Sequence, residues 1–298
     1  MTDRLRRGLF PSRGLRAVLV RIGDTARMAR MLHGLAPTAS WLFAEALAGA
    51  AIAGALQKDL GRVNLQVACD GPLRGLFVDA DPEGNVRGYV RAPGVHFPGD
   101  PARGALAALG GAGYLSMLRS LADGQIYRSA VDLGADGLAG ALRRWFAASE
   151  QVETALDVAV VPREGELLGD VVALLVQRLP DGDPGAVAAV RAALAEGALR
   201  DGLAAGRPAQ ELLEALAGEP LDLLADQEVS YRCGCSAARA RAAVSVLGAD
   251  GVAELLRLEG KAEVDCEFCH AHYRLDAAEL RELERRLRAD GGGGGATG

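Results

Sequence analysis

The sequence predicts an α+β fold: an N-terminal domain of mixed or antiparallel sheet with helices, a helical linker, and a small C-terminal module built on cysteines. Three observations carry this. Residues 62–91 hold three β-rich runs separated by turn-forming breakers. Residues 181–230 change to short apolar-periodic pieces divided by prolines. The last segment gathers four of the chain's five cysteines into two tight pairs. A chain of 298 residues has room for one large domain and a smaller one.

Residues 1–13 read as a loose basic arm, since Arg4, Arg6, Arg7 and Arg13 dominate them. Arg13, Arg16 and Arg21 break any apolar run after it, so no signal peptide is expected and the chain is assigned to the cytoplasm, a transit peptide being the alternative. Apolar and polar residues alternate over 15–22, which argues for a strand. Two helical segments come next, 25–33 and 40–58, divided by Pro37. The apolar stretch 41–56 is too short for a confident membrane span and contains Glu45; its Ala and Gly suit a helix packed inside a globule. No membrane partner is expected.

Runs 62–69, 73–80 and 85–91 read as a meander, with Asp70-Gly71-Pro72 and Asp81-Pro82-Glu83-Gly84 as its turns. Residues 92–113 read as loop with one short helix. Residues 114–121 and 125–133 read as a hairpin turning at Asp123-Gly124, with a helix over 137–149 and strands over 153–161 and 170–179 after it. Residues 1–180 are therefore predicted as one domain. Only 4% of residues are aromatic although 50% are hydrophobic, so Ala, Leu, Val and Gly must build the core from many small contacts.

Residues 181–230 hold ten acids against three bases, a net charge of −7 in a chain whose total is −6. Pro184, Pro208 and Pro220 divide them. The stripe Val187, Val190, Leu194, then Leu212, Leu213, Leu216 has helical period and should pack on something. An ordinary helical subdomain is one reading; a weakly stable linker that can detach is the other, because like charges repel within a compact segment.

Cys233-Gly234-Cys235 and Cys266-Glu267-Phe268-Cys269 can each direct two thiolates at one metal, the first because Gly234 bends freely. Four soft ligands match tetrahedral zinc and disfavour magnesium and calcium, while an iron–sulfur cluster also takes four thiolates. Residues 231–290 are thus predicted as a small C-terminal zinc-binding module, with one zinc per chain on Cys233, Cys235, Cys266 and Cys269. Such a set leaves no open position for a substrate, which argues against metal-ion catalysis. It reads either as a structural zinc knot or as a switch in which oxidation removes the ligands and the metal's contribution to folding together. His270 and His272 flank the second pair as candidate substitute ligands. Cys69 reads as a packed, inert thiol, and His33 and His96 receive no role. Asp276 and Glu279 form an N-cap pair for a closing helix to about residue 288, and the glycine-rich residues 291–298 read as a flexible tail. No hydrolase elbow, metalloprotease helix or phosphate loop is present, so no enzyme activity is predicted.

These residues resemble the thirty-three-kilodalton heat-shock chaperone family of redox-regulated holdases. The tail Cys233-Gly-Cys235-Ser236 and Cys266-Glu-Phe-Cys269 with Tyr273 resembles that family's zinc module. Gly124-Gln-Ile-Tyr127-Arg-Ser129-Ala-Val131, Asp70-Gly71-Pro72-Leu73, and Trp145-Phe146 leading to Ser149-Glu150-Gln151 with Thr154 resemble its N-terminal domain. His270, Ala238 and Gly169-Asp170-Val171 depart from its pattern without removing a ligand. The resemblance implies an ATP-independent holdase that binds zinc when reduced. On oxidation it forms the disulfides Cys233–Cys235 and Cys266–Cys269, releases zinc, dimerises and binds unfolding client proteins. The competing function is a zinc-ribbon nucleic-acid binder using Arg239, Arg241, Arg274 and the arginines of 281–288. The acidic balance opposes it, because neutralising phosphates needs clustered bases.

Overall fold

Strand and helix are interleaved along the first 232 residues. The computed structural model describes residues 2–57, 61–120, 125–149 and 152–291. Its elements begin with β1 (Arg4–Phe10), β2 (Leu15–Arg21), α1 (Gly23–Leu32) and α2 (Pro37–Ala55). The meander β3 (Arg62–Cys69), β4 (Gly75–Ala80) and β5 (Asn85–Val90) comes next, then α3 (Pro101–Leu109), β6 (Gly113–Ser120) and β7 (Ile126–Asp132). After them stand α4 (Gly137–Ser149), β8 (Thr154–Arg163), β9 (Glu166–Arg178), α5 (Pro184–Ala195), α6 (Ala198–Ala204) and α7 (Ala209–Ala217). The short strands β10 (Asp222–Glu228) and β11 (Ser230–Tyr231) close this unit, which spans Met1–Arg232.

Two sheets enclose the main core. One has the order β10-β1-β2-β9-β8 and the other β11-β5-β4-β3-β6-β7. All ladders are antiparallel except β11 on β5, so the sheet class is mixed. Helix α2 is apolar all round, and such a helix belongs in an interior. Every residue of it except Pro37 and Glu45 is buried, and it packs with the inner faces of both sheets. It is long and apolar enough to cross a membrane by length and composition alone, but its apolar surface is consumed inside the protein. Close approach sets its composition: a Cβ at Gly54 would stand 2.9 Å from the carbonyl oxygen of Asp81.

The outer face of the first sheet carries Leu15, Ala17, Leu19, Val172, Leu174 and Val176, and the 181–230 segment covers it. Val187, Val190 and Leu194 of α5, Leu199 and Leu203 of α6 and Leu212 and Leu213 of α7 are buried there. Pro184 stands at the first turn of α5, where its missing N–H costs nothing, and Asp183 caps that helix by accepting from the Gly185 N–H. Pro208 supplies the N-cap of α7.

The structure corrects two expectations. Residues 1–13 are not a loose arm. Arg4–Phe10 forms β1, hydrogen-bonded on both edges, because Leu5, Gly8 and Phe10 bury between the arginines. The 181–230 segment is not helical throughout, because its last part is β10, the outer neighbour of β1. Opposite charges meet there: Arg4 and Arg6 lie 2.7 and 3.3 Å from the carboxylate of Asp226. The division between units falls after Arg232, so this segment packs within the first unit. The Asp123-Gly124 turn, Lys58, Glu150-Gln151 and residues 292–298 lie outside the described residues.

The second unit, Cys233–Gly298, contains α8 (Ala237–Ser245), α9 (Gly248–Leu258), β12 (Ala262–Asp265), β13 (His272–Leu275) and α10 (Ala277–Gly291). Its core is six buried side chains: Val244, Val252, Ala262, Leu275, Leu280 and Leu283. The N-cap pair forms as expected: Asp276 accepts from the N–H groups of Ala278 and Glu279, and the Glu279 carboxylate accepts from the Asp276 N–H.

Glu45 is the one ionisable side chain of α2. It accepts a hydrogen bond from Trp41 Nε1 at 3.0 Å, and burial pushes its carboxyl up to about 7, with Asp157 adding repulsion. From about pH 4.5 to about 7 the folded state keeps a proton that the unfolded chain has released, so stability falls as pH rises through that window. Glu45→Gln should keep the Trp41 bond and remove this slope. Because the side chain retains some solvent contact, the variant should gain about 1–3 kcal/mol at pH 8 and little at pH 4.5. Urea unfolding monitored by tryptophan fluorescence checks this; equal stability of variant and wild type at pH 8 would show that the carboxylate is well solvated.

Candidate metal centre

Two short pieces of backbone bring four thiols together. β12 and β13 pair as a hairpin, from Ala262 opposite Leu275 to Asp265 opposite His272, and their connection carries Cys266 and Cys269. The His270 N–H donates to the Cys266 carbonyl at 2.8 Å and the Cys266 N–H to the Ala271 carbonyl at 3.0 Å. His270 adopts a left-handed φ of 56°, a conformation His tolerates better than most residues. Cys233 and Cys235 arrive on the extended run before α8, and Ser236 caps that helix by accepting from the Arg239 N–H at 3.3 Å.

Cys233 Sγ lies 3.6 Å from Cys266 Sγ, and Cys235 Sγ lies 3.3 Å from Cys269 Sγ. All four sulfurs lie within 4.8 Å of one another. Sulfurs bound at about 2.3 Å to one tetrahedral ion stand about 3.8 Å apart, so this set could hold a metal ion if its separations changed by no more than about an ångström. A closed set of four sulfurs suits a structural or switching role better than substrate binding.

Tyr273, on β13 opposite Val264, donates its hydroxyl to Cys235 Sγ at 3.0 Å. That bond, first among the causes, draws the Cys235 thiol down to about 7, and the thiolate in turn pushes Tyr273 up to about 12. Burial pushes Cys269 up to about 12 and raises Cys233 as well. The thiol cluster therefore favours negative charge at Cys235. No residue spacing announces this partner: Tyr273 reaches Cys235 only because the hairpin folds back.

The other candidates stand apart. His272 is exposed and hydrogen-bonded through Nδ1 to Asp265 at 2.7 Å, and neither it nor His270 joins the sulfur cluster. Cys69, at the end of β3, packs against the main core, and burial pushes its thiol up. His33 Nε2 lies 2.8 Å from the Tyr231 hydroxyl, and His96 Nδ1 lies 3.5 Å from Thr38 Oγ1.

The family model described as Hsp33 protein matches residues 3–276. The 33 kDa chaperonin of Picosynechococcus sp. is 34% identical over 97% of this chain and 99% of its own length. That of Geobacter sulfurreducens is 34% identical over 90% of this chain and 89% of its own length. A crystal structure of the 33 kDa chaperonin (heat shock protein 33 homolog) from Thermotoga maritima superimposes with a TM-score of 0.83, at 25% identity, over 97% of this chain and all of that one.

Cobalt(II) added to reduced, metal-stripped protein should bind one ion per chain with the intense spectrum of a tetrahedral thiolate complex. Affinity should fall as pH falls, because binding displaces thiol protons. Cys266→Ser should lose the tight spectrum, whereas His272→Ala should keep it. A Cys266→Ser variant that retained tight stoichiometric binding would remove Cys266 from the ligand set.

Proposed function

The chain belongs to the Hsp33 chaperone family, and from that premise we propose that it is an ATP-independent holdase controlled by a zinc–thiolate redox switch. The observation that carries this reading is the four-sulfur cluster in a module whose own apolar core is six side chains. So small a core gives little stability alone, and a bound metal would supply most of the rest. In the reduced state Cys233, Cys235, Cys266 and Cys269 hold one zinc ion.

Oxidation by two equivalents of peroxide converts four thiolates into two disulfides. Each pair gives up two electrons, each peroxide leaves as two hydroxide ions, and the zinc is released. The pairing is Cys233–Cys235 and Cys266–Cys269. The nearest sulfurs join the two arms instead, Cys235 with Cys269 and Cys233 with Cys266. A cross-link of that kind would keep the arms tethered; local disulfides close tiny loops and let them part. Local pairing is thus the form that opens the module.

We infer that residues 181–230 loosen once the module has opened. Their like charges repel, and Val187, Val190, Leu194 and Leu212 leave the outer face of the first sheet. Apolar surface is uncovered on both partners, the oxidised protein dimerises, and unfolding client proteins bind. A zinc–thiolate switch needs a reducing compartment to rest in, and the cytoplasm is the compartment proposed for it.

Reduced protein should leave the light scattering of a heat-unfolded client unchanged, and peroxide-treated protein should suppress it. Equal activity of the two forms would remove the redox switch while leaving the chaperone role. Cys69→Ser should activate like wild type. On oxidation, hydrogen exchange should lose protection over 181–290 while 60–160 keeps it; equal loss in both regions would mean global unfolding.

A further inference from the structure

On the outer face of the first sheet, the corner beside the turn between α6 and α7 is occupied by arginines. Arg4 of β1 stands directly opposite Arg21 of β2, and like charges facing across an antiparallel pair are destabilising unless something lies between them. Arg6, two residues along β1, shares that face. Arg163, near the end of β8, joins from the far side, and Arg207 stands in the turn above. The five line one cavity of about 290 Å³.

Two carboxylates serve this group. Asp226 takes Arg4 at 2.7 Å and Arg6 at 3.3 Å. Asp170 takes Arg21 at 3.3 Å and the Arg163 Nε at 2.9 Å. Arg207 has no ion pair or side-chain hydrogen bond among the described residues. Five guanidinium groups against these two carboxylates and that of Glu228, which stands opposite Arg4 on β10, leave two positive charges in excess, in a chain whose net charge is −6. Arg6 Nε is buried without a hydrogen-bond acceptor of good geometry. Pro208, Ala209 and Gln210 also line the cavity, and they open α7, whose N-terminus has no side-chain cap. The positive end of that helix therefore adds to the same field.

We propose that this cavity binds a small, multiply charged phosphate-class anion. Planar guanidinium forks from β1, β2 and β8 would hold one side of it, and Arg207 with the α7 N-terminus the other. The bound anion would bridge the sheet to the α6–α7 turn and so fasten a segment that otherwise repels itself. This assignment does not depend on the redox reading, because it concerns the reduced, folded protein.

Pyrophosphate is the probe. Titrated into reduced full-length protein at low ionic strength, it should give saturable one-to-one calorimetric binding that weakens as potassium chloride is added. Arg207→Glu should weaken binding by roughly tenfold or more, and Arg207→Gln by less. Arg207 is exposed, so both variants should keep the wild-type circular dichroism. Arg257→Glu, an exposed change in the other unit, should bind as wild type. Pyrophosphate should also slow hydrogen exchange over residues 203–212 in the wild type but not in Arg207→Glu. No saturable binding to the wild type, or equal weakening by Arg207→Glu and Arg257→Glu, would overturn the site.

Discussion

The outer face of the first sheet is apolar and must be covered, and the segment that covers it carries a net charge of −7. Burial of about a dozen leucine, valine and alanine side chains holds that segment down, at roughly 25 cal/mol for each Å² removed from water. Mutual repulsion of its acids works the other way, weakened by distance and salt. The arginines of β1 decide the balance locally, since Arg4 and Arg6 meet Asp226 where β10 adds to the sheet. The covering layer is thus secured by apolar contact over its helices and by charge along its strand. A layer whose helices bury their apolar side chains on the outer face of the first sheet can be stable in place and still leave it without exposing the main core, while its last residues stay tied to the second sheet by the Ser230–Asn85 pair and the Gln227 bond to the Pro82 carbonyl.

The small C-terminal unit presents the opposite economy of means. Its core is too slight to dominate its stability, so the sulfur cluster becomes the main constraint on its fold. The hairpin connection and the run before α8 that carries Cys233 and Cys235 are far apart in sequence and are joined at the cluster. Any chemistry that satisfies the sulfurs within each arm, instead of between arms, removes that junction. The Tyr273 hydroxyl on Cys235 draws negative charge toward that sulfur in the metal-free cluster.

Much of this architecture is legible in the sequence, for identifiable reasons. The meander over 62–91 is bounded by Asp-Gly-Pro and Asp-Pro-Glu-Gly turns, whose backbone preferences are strong and local. The closing helix is marked by Asp276 and Glu279, and the cysteine pairs by spacing. β1 is not legible, because its half-buried arginines outnumber the buried Leu5 and Phe10, which stand five residues apart, and imitate a solvated tail. β10 is hidden for a related reason: Leu223 and Leu224 remain exposed on it, so no buried face shows as a period of two. Its strand character comes from β1, a partner more than two hundred residues away. The arginine cavity has no signature at all, since its members come from four separate stretches of chain.

One junction ties the two levels together. Tyr231 stands near the end of the first unit, on the parallel pair of β11 with β5, and the Arg232 N–H after it donates to the Val86 carbonyl at 2.9 Å. Its hydroxyl donates to the Gly88 carbonyl at 2.7 Å and accepts from the Gly88 N–H at 3.2 Å. With its one hydrogen committed to that carbonyl, the hydroxyl can only accept from His33 Nε2, which fixes the imidazole as a donor there. Two residues further on stands Cys233. Between the charged strand and the first thiolate the chain is held by this tyrosine and by the N–H groups of Val229, Ser230 and Arg232, which donate to the carbonyls of Asp3, Gly84 and Val86. Cys233 is the fifth residue after Glu228, a reach of at most about 18 Å, so little slack can absorb a change at the sulfurs. If the sulfur cluster loosens, the disturbance meets the Tyr231 anchor first and β10 next. β10 is held to β1 by its antiparallel ladder and by the contacts of Arg4 and Arg6 with Asp226, while Leu223 and Leu224 stay exposed on it, so it adds little apolar burial with which to resist.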